Sequence, residues 1–407
     1  LVLHSFQTPI CDALSNFWGF SLGRSFQSKP NASFTALLFV ERSKGTIDLS
    51  IIFLAIAFAF VFLTFFGVQY PLTFDFHIGT MAAAFIPWIL WAMFKGKWKI
   101  FVLLCIIASG FKEDMPLYVA AFSLYIILTR RNWKLGSIML VLSLGYDYVI
   151  TRYLMPSFAH NAAKTFSLSY FSLRPDYLWS VFFNSPVKLQ TMFISFANVL
   201  FILPLFSGFF LLLPLAHFFI NFSNPDFPGR WGIFLHHRGY LSSILVYSSI
   251  LGYSFFQKMK PKIFNSSKAK IILAVLLIVD AVFLDYLLHL PLNTLLKHQF
   301  YYTENWIKDN NDIVKKIPPN AYLLITNSLA PQVSFREHIY YYPQNLDKAD
   351  YIFIDLHPDQ PIINFWLTAT TSAELNSSIK GLLAKKRYRK YYQLHDSYLL
   401  KRTRRRA

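Results

Sequence analysis

Residues 49–68 read LSIIFLAIAFAFVFLTFFGV, twenty positions without a charge. At about 1.5 Å per residue such a run crosses roughly 30 Å of hydrocarbon as a helix. Comparable apolar runs follow at 78–94, 100–111, 115–129, 133–150, 240–256 and 271–291. The stretch 191–222 is also apolar, and Pro204 and Pro214 inside it favour a pair of spans or a broken helix over one straight rod. The chain is 55% hydrophobic and 18% aromatic with only 15% charged residues. Its mean hydropathy of +0.38 points the same way, to a bilayer as solvent. The expected fold class is an α-helical polytopic membrane protein of about eight or nine transmembrane helices.

The formal net charge of +18 suggests nucleic acid until it is located. From Lys380 onward there are eleven Lys or Arg against one acid, Asp396, so ten of the eighteen charges belong to a tail. That tail, ending in Arg404, Arg405 and Arg406, reads as a solvated end, and nucleic acid is not an expected partner. The remaining basic residues sit in short turns, where positive charge sets orientation. Lys95, Lys97 and Lys99 form one such turn, Arg130, Arg131 and Lys134 another, and 257–270 a third with five lysines and no acid. With these inside, three polar clusters fall together outside: Phe74 to His77, Lys112 to Asp114, and His236 to Arg238. The alternation requires 191–222 to count as two crossings.

Three regions are expected: 1–48, a partial and poorly defined N-terminal region; 49–291, the helical membrane domain; and 292–407, a small extracytoplasmic α/β domain with the basic tail. The chain starts at Leu1 without a basic segment, apolar core and cleavage site, which reads as a processed or incomplete beginning. In the last region Trp306, Ile307, Ile313, Val314 and Ile317 share a helix face. Leu375, Ile379, Leu382 and Leu383 do the same, and short β-type runs lie at 321–326, 339–342 and 351–355. Cys11 and Cys105 are too isolated for a disulfide framework.

Candidate catalytic residues are Asp75, Glu113 and Asp114; candidate substrate contacts are Lys112, His77, His236, His237 and Arg238. A carboxylate beside an imidazole, as in Asp75 and His77, can act as a base, orient one, or bind a divalent cation. It can equally be an exposed turn. Lys112, Glu113 and Asp114 join apolar runs of 12 and 15 residues, shorter than a full crossing. Their structural reading has Lys112 complementing a helix C-terminus and Asp114 capping the next helix before Pro116. Asp147, Asp280 and Asp285 lie in or near spans, where a hydrogen-bonded structural carboxylate is expected and a proton relay is the alternative. No phosphate-binding or dinucleotide-binding glycine loop and no zinc-type Cys/His spacing occurs.

The FDFH of 74–77, the KED of 112–114, the paired His236 and His237, and the phrases IPPNAYLLITNSLAPQVSFREHIYYYP and KADYIFIDL resemble a prokaryotic membrane-protein family, domain of unknown function 2079. The resemblance covers roughly residues 49–401. That family in turn looks related to C-type glycosyltransferases, which take sugars from lipid-phosphate carriers. The resemblance implies a glycosyltransferase-like protein of the cell membrane acting on its outer face. Its partners would be the bilayer and a polyprenyl-phosphate sugar, and its cofactor, if any, a divalent cation. C-type enzymes carry the catalytic carboxylate in a first outer loop after the first span; the resemblance implies that these spans and that carboxylate belong upstream of Leu1, so the sites above would then be accessory. The rival reading is a transporter or a non-catalytic scaffold, although no internal repeat of the hydropathy pattern appears.

Overall fold

The structure, a computed structural model, describes residues 48–73, 78–158, 174–224, 228–233, 236–357, 363–364, 368–369 and 372–403. It divides into two compact units, Leu1–Asn293 and Thr294–Ala407.

The first unit is helical. Asp48 accepts from the Ser50 amide at 2.9 Å and so caps α1, Leu49–Thr64. The charge-free run does not continue as one helix to residue 68. Phe65 takes an extended conformation, and the chain restarts as α2, Phe66–Gln69. Tertiary contacts hold this break: the Phe66 amide donates to Asn198 Oδ1 at 3.4 Å, and Gln69 Nε2 donates to the Thr64 carbonyl and to Asp285 Oδ1. The next helices are α3, Ile78–Phe94; α4, Trp98–Ser109; α5, Met115–Leu128; and α6, Trp133–Val149. Past its expected end, α6 runs through a π-helical turn at Ile150–Leu154 into Met155–Phe158. The polar-aromatic stretch 151–190, which reads as a loop in the sequence, is in part helical: α7 is Pro175–Phe183 and α8, Pro186–Ala197, begins within it, each with proline in its first turn. The proline-bearing stretch is broken as anticipated, into α9, Ile202–Leu205, a 3-10 turn at Gly208–Leu211, and α10, Leu212–Phe222. After a turn at His236–Arg238 come α11, Gly239–Met259; α12, Pro261–Phe264; and α13, Ser267–Leu287.

α11 is the axis of this unit. Leu241, Leu245 and Ile250 pack on one side with Leu54, Val61 and Phe65 of the α1 segment and Leu277 and Ala281 of α13. Tyr240, Ile244 and Tyr247 pack on the other with Ile86 and Leu90 of α3 and Phe122 and Ile126 of α5. Its buried serines 248, 249 and 254 return their hydroxyls to carbonyls four residues back, whereas the Ser243 hydroxyl has no hydrogen-bond partner among the described residues. A Cβ on Gly252 would come within 1.7 Å of the Leu203 carbonyl, so α9 crosses there backbone against helix.

The outer helices face outward with apolar side chains, Ile138, Val141 and Leu142 on α6 and Ile271, Leu276, Val279 and Phe283 on α13. Contiguous apolar exposure of this kind marks a surface that meets something other than water. Among the described residues one helix, Trp133–Phe158 with 26 residues, is long and apolar enough to cross a membrane by length and composition. Shorter apolar helices are Leu49–Thr64, Ile78–Phe94, Trp98–Ser109, Met115–Leu128 and Gly208–Phe222.

The helices also sort the charges between two ends of the unit. Arg131 donates to the Met93 carbonyl at 3.3 Å, which brings the turns holding Lys95, Lys97, Arg130 and Arg131 together. At the other end Tyr240 meets Asp114, and Gly67 lies against Arg238.

The second unit is a mixed sheet between helices. β1, Leu323–Ile325, lies parallel to β2, Ile339–Tyr341, and to β3, Tyr351–Asp355. β4, Ile363–Asn364, and β5, Thr368–Ala369, pair with each other as a separate ribbon, and the hairpin of β6, Tyr388–Leu394, and β7, Ser397–Arg402, completes the main sheet in the order β2-β1-β3-β7-β6. Alternation along the strands separates two cores. Leu323, Ile325, Phe353 and Leu399 pack with Ile313 of Asn305–Val314, while Leu324, Ile352, Ile354 and Leu400 pack with Leu375 and Ile379 of Ser372–Ala384.

Candidate functional site

The charged residues between α4 and α5 turn inward. Lys112 and Asp114 are buried and paired, Nζ to Oδ2, at 3.2 Å. Asp114 occupies the capping position of α5, yet its side chain makes no capping bond. The carboxylate is diverted to Lys112 and receives the Tyr240 hydroxyl at a long 3.4 Å. The capping role expected for Asp114 therefore does not hold, because a buried cation competes for the same oxygens. Glu113 points the other way: its side chain keeps 24% of its surface exposed and lies 3.5 Å from the buried guanidinium of Arg230.

Behind these pairs runs a second layer. The Arg238 guanidinium is fully buried, bonded at 3.0 Å to His217 Nε2 and also to the Arg230 carbonyl. His217 Nδ1 meets the Tyr118 hydroxyl at 2.8 Å, and Asn221 Nδ2 donates to that hydroxyl at 3.2 Å. Phe222 faces the guanidinium at 5.2 Å. The tyrosine rings 118 and 240 meet edge to face at 4.7 Å, linking this layer to Asp114. Two guanidiniums joined through a carbonyl, with an imidazole and two phenols around them, form a connected network around the site's cations, in which Arg238 Nε and Asn221 Oδ1 have no hydrogen-bond partner among the described residues.

His236, His237 and Arg238 form the 3-10 turn before α11. Burial, reinforced by the charges of Lys112, Arg230 and Arg238, holds the His237 imidazole well below its usual range, so it is neutral at pH 7. The structure thus brings Lys112, Glu113, Asp114, His236, His237 and Arg238 to one end of the helical unit. Asp75 and His77 lie outside the described residues. Among the described residues no group of three His, Cys, Asp or Glu side chains is arranged to hold a metal ion.

Over residues 9–400 the sequence matches the family of predicted membrane proteins designated DUF2079. The chain belongs to that family. Neither a curated protein nor a solved structure matches it. As a DUF2079 protein the chain is a predicted membrane protein, which accounts for the outward apolar faces of α6 and α13 without a further partner. The family description names no reaction, so the chemistry rests on the side chains.

Several of those side chains escaped the sequence reading. Arg230 follows Pro228 and Gly229 in an unremarkable turn, and His217 sits within an apolar stretch where a lone histidine passes for a core residue. The three acids expected to be structural also divide. Asp285 accepts from Gln69 at 2.7 Å, and Asp280 accepts from the Leu200 amide at 3.4 Å, where the helical stretch breaks. Asp147 is fully buried and neither carboxylate oxygen has a hydrogen-bond partner, contrary to the expectation of a bonded structural acid.

Proposed function

We propose that this DUF2079 protein is a multi-pass membrane protein of the cell membrane that transfers a sugar from a lipid-phosphate carrier, at the end of the helical unit that holds Glu113. The observation that carries the reading is the Glu113–Arg230 pair beside Lys112–Asp114: a partly exposed carboxylate next to fixed cations. Glu113 is suited to take the proton of an acceptor hydroxyl as the new bond to the anomeric carbon forms. The bond from that carbon to phosphate oxygen breaks in the same step, and Arg230 and Lys112 offset the charge on the departing lipid phosphate. The polar end is assigned to the outer face because the lysine-rich and arginine-rich turns lie at the opposite end of the unit. α13 begins at the basic end, so the chain beyond it, with the α/β unit, is assigned to the extracytoplasmic side.

The test is lipid-linked sugar turnover by membranes containing the protein. Glu113→Gln should lower turnover roughly 10²- to 10⁴-fold, the range for loss of a positioned base. Asp75→Asn, assayed in parallel, reports on the expected second carboxylate. Unchanged turnover in both variants removes them from the mechanism.

A transport reading draws on the broken stretch between α8 and α10, where Leu200 has a left-handed φ of 53°. There, however, Asp280 already accepts from the Leu200 amide, an arrangement that secures the break. Proton-coupled solute flux without sugar turnover would decide for transport.

A further inference from the structure

α5 and α6 form an antiparallel hairpin closed at residues 129–132, and Asp114 and Asp147 each stand roughly four helical turns from that connection. The hairpin therefore brings Asp147 to the level of Asp114, within electrostatic reach of both Asp114 and Glu113. The cations of this end already pair with other groups, Lys112 with Asp114, Arg230 with Glu113, and Arg238 with His217 and a carbonyl, although Arg238 Nε has no hydrogen-bond partner among the described residues. Asp147 is left fully buried with two bare oxygens. An unpaired buried carboxyl is unfavourable in either protonation state, and a bound ligand is one way a native fold offsets it. The helix departs from α geometry one turn later, at the π-helical Ile150–Leu154, and Thr151 returns its hydroxyl to the Asp147 carbonyl at 2.7 Å. π-helical turns of this kind recur at functional sites.

We propose that Asp147 is a substrate-binding carboxylate that accepts hydroxyl donors of a saccharide entering beside Glu113. Two free carboxylate oxygens on one rigid helix match two adjacent hydroxyl groups, whereas Lys112 and Arg230 match a phosphate. The saccharide identity rests on the glycosyl-transfer reading above; the binding role of Asp147 rests on its missing partners.

Two measurements on the full chain in membranes or detergent separate these claims. Without substrate, Asp147→Leu removes an unsatisfied buried group and should raise the thermal unfolding midpoint by roughly 2 °C, while Asp114→Asn should lower it. A lowered midpoint for Asp147→Leu would make Asp147 a structural residue and overturn the proposal, whatever the reaction. With lipid-linked sugar, Asp147→Asn should raise the KM for the donor about tenfold while kcat changes little. Turnover by wild type with an unchanged KM in Asp147→Asn would sink the saccharide contact and leave the transfer reading standing. Absence of turnover in wild type, with the midpoint still raised in Asp147→Leu, would sink the transfer reading and leave Asp147 as a binding group for another hydroxyl-bearing ligand.

Discussion

His237 connects the site to acid sensitivity. Its imidazole is neutral in the folded protein because burial and the neighbouring cations oppose a second positive charge. Its folded value lies below the unfolded one, so the unfolded chain binds a proton first as pH falls beneath about 6.5. Stability is therefore fully present at neutral pH and declines with acidification. From this residue alone the slope approaches about 1.4 kcal/mol per pH unit. Unfolding measured between pH 7 and 5 should show a flatter dependence in His237→Phe than in wild type; parallel curves would show that the imidazole is not what the fold excludes from protonation. The residues of this network differ in how far sequence discloses them. Lys112, Glu113 and Asp114 stand out because charges interrupt an apolar stretch. Arg230 and His217 do not, because their roles depend on partners Glu113, Arg238 and Tyr118, far away along the chain.

Among the elements, the break in α1 matters most for the site. Releasing the chain at Phe65 turns α2 so that Gly67 lies on the backbone of the His236–Arg238 turn, where an added Cβ would come within 2.3 Å of the Arg238 carbonyl. That contact is one reason the turn, and with it Arg238, is held in register with Asp114. Gly67→Ala should cost about 1–3 kcal/mol, the range for overpacking a rigid contact, and should slow any turnover through displacement of Arg238. Thermal unfolding checks this, and a variant as stable as wild type would show that the close approach does not exist. The presence of most helices could be read from charge-free runs, and the break at 198–211 from Pro204 and Pro214. The break at Phe65 could not, since nothing in residues 49–66 interrupts a helix and the cause lies in Asn198 and Arg238. The π-helical turn after Asp147 is equally silent in sequence. In the second unit, the short β-type runs at 321–326 and 351–355 disclosed strands, but the placement of the β6–β7 hairpin beside β3 depends on pairing that no local pattern specifies.

At the scale of the whole helical unit, basic turns lie at one end and paired acids with buried guanidiniums at the other, and the proposed function sets a membrane between them. Burial of the Lys112–Asp114 pair is consistent with this, since two charges leave water only when each satisfies the other. The direct test is compartment-specific labelling. Glu113→Cys and Lys97→Cys are made separately in a background lacking Cys11 and Cys105, and intact cells are treated with a membrane-impermeant thiol reagent before and after permeabilisation. The cysteine at 113 should react in intact cells and the one at 97 only after permeabilisation. Reaction of both under the same condition would contradict this polarity.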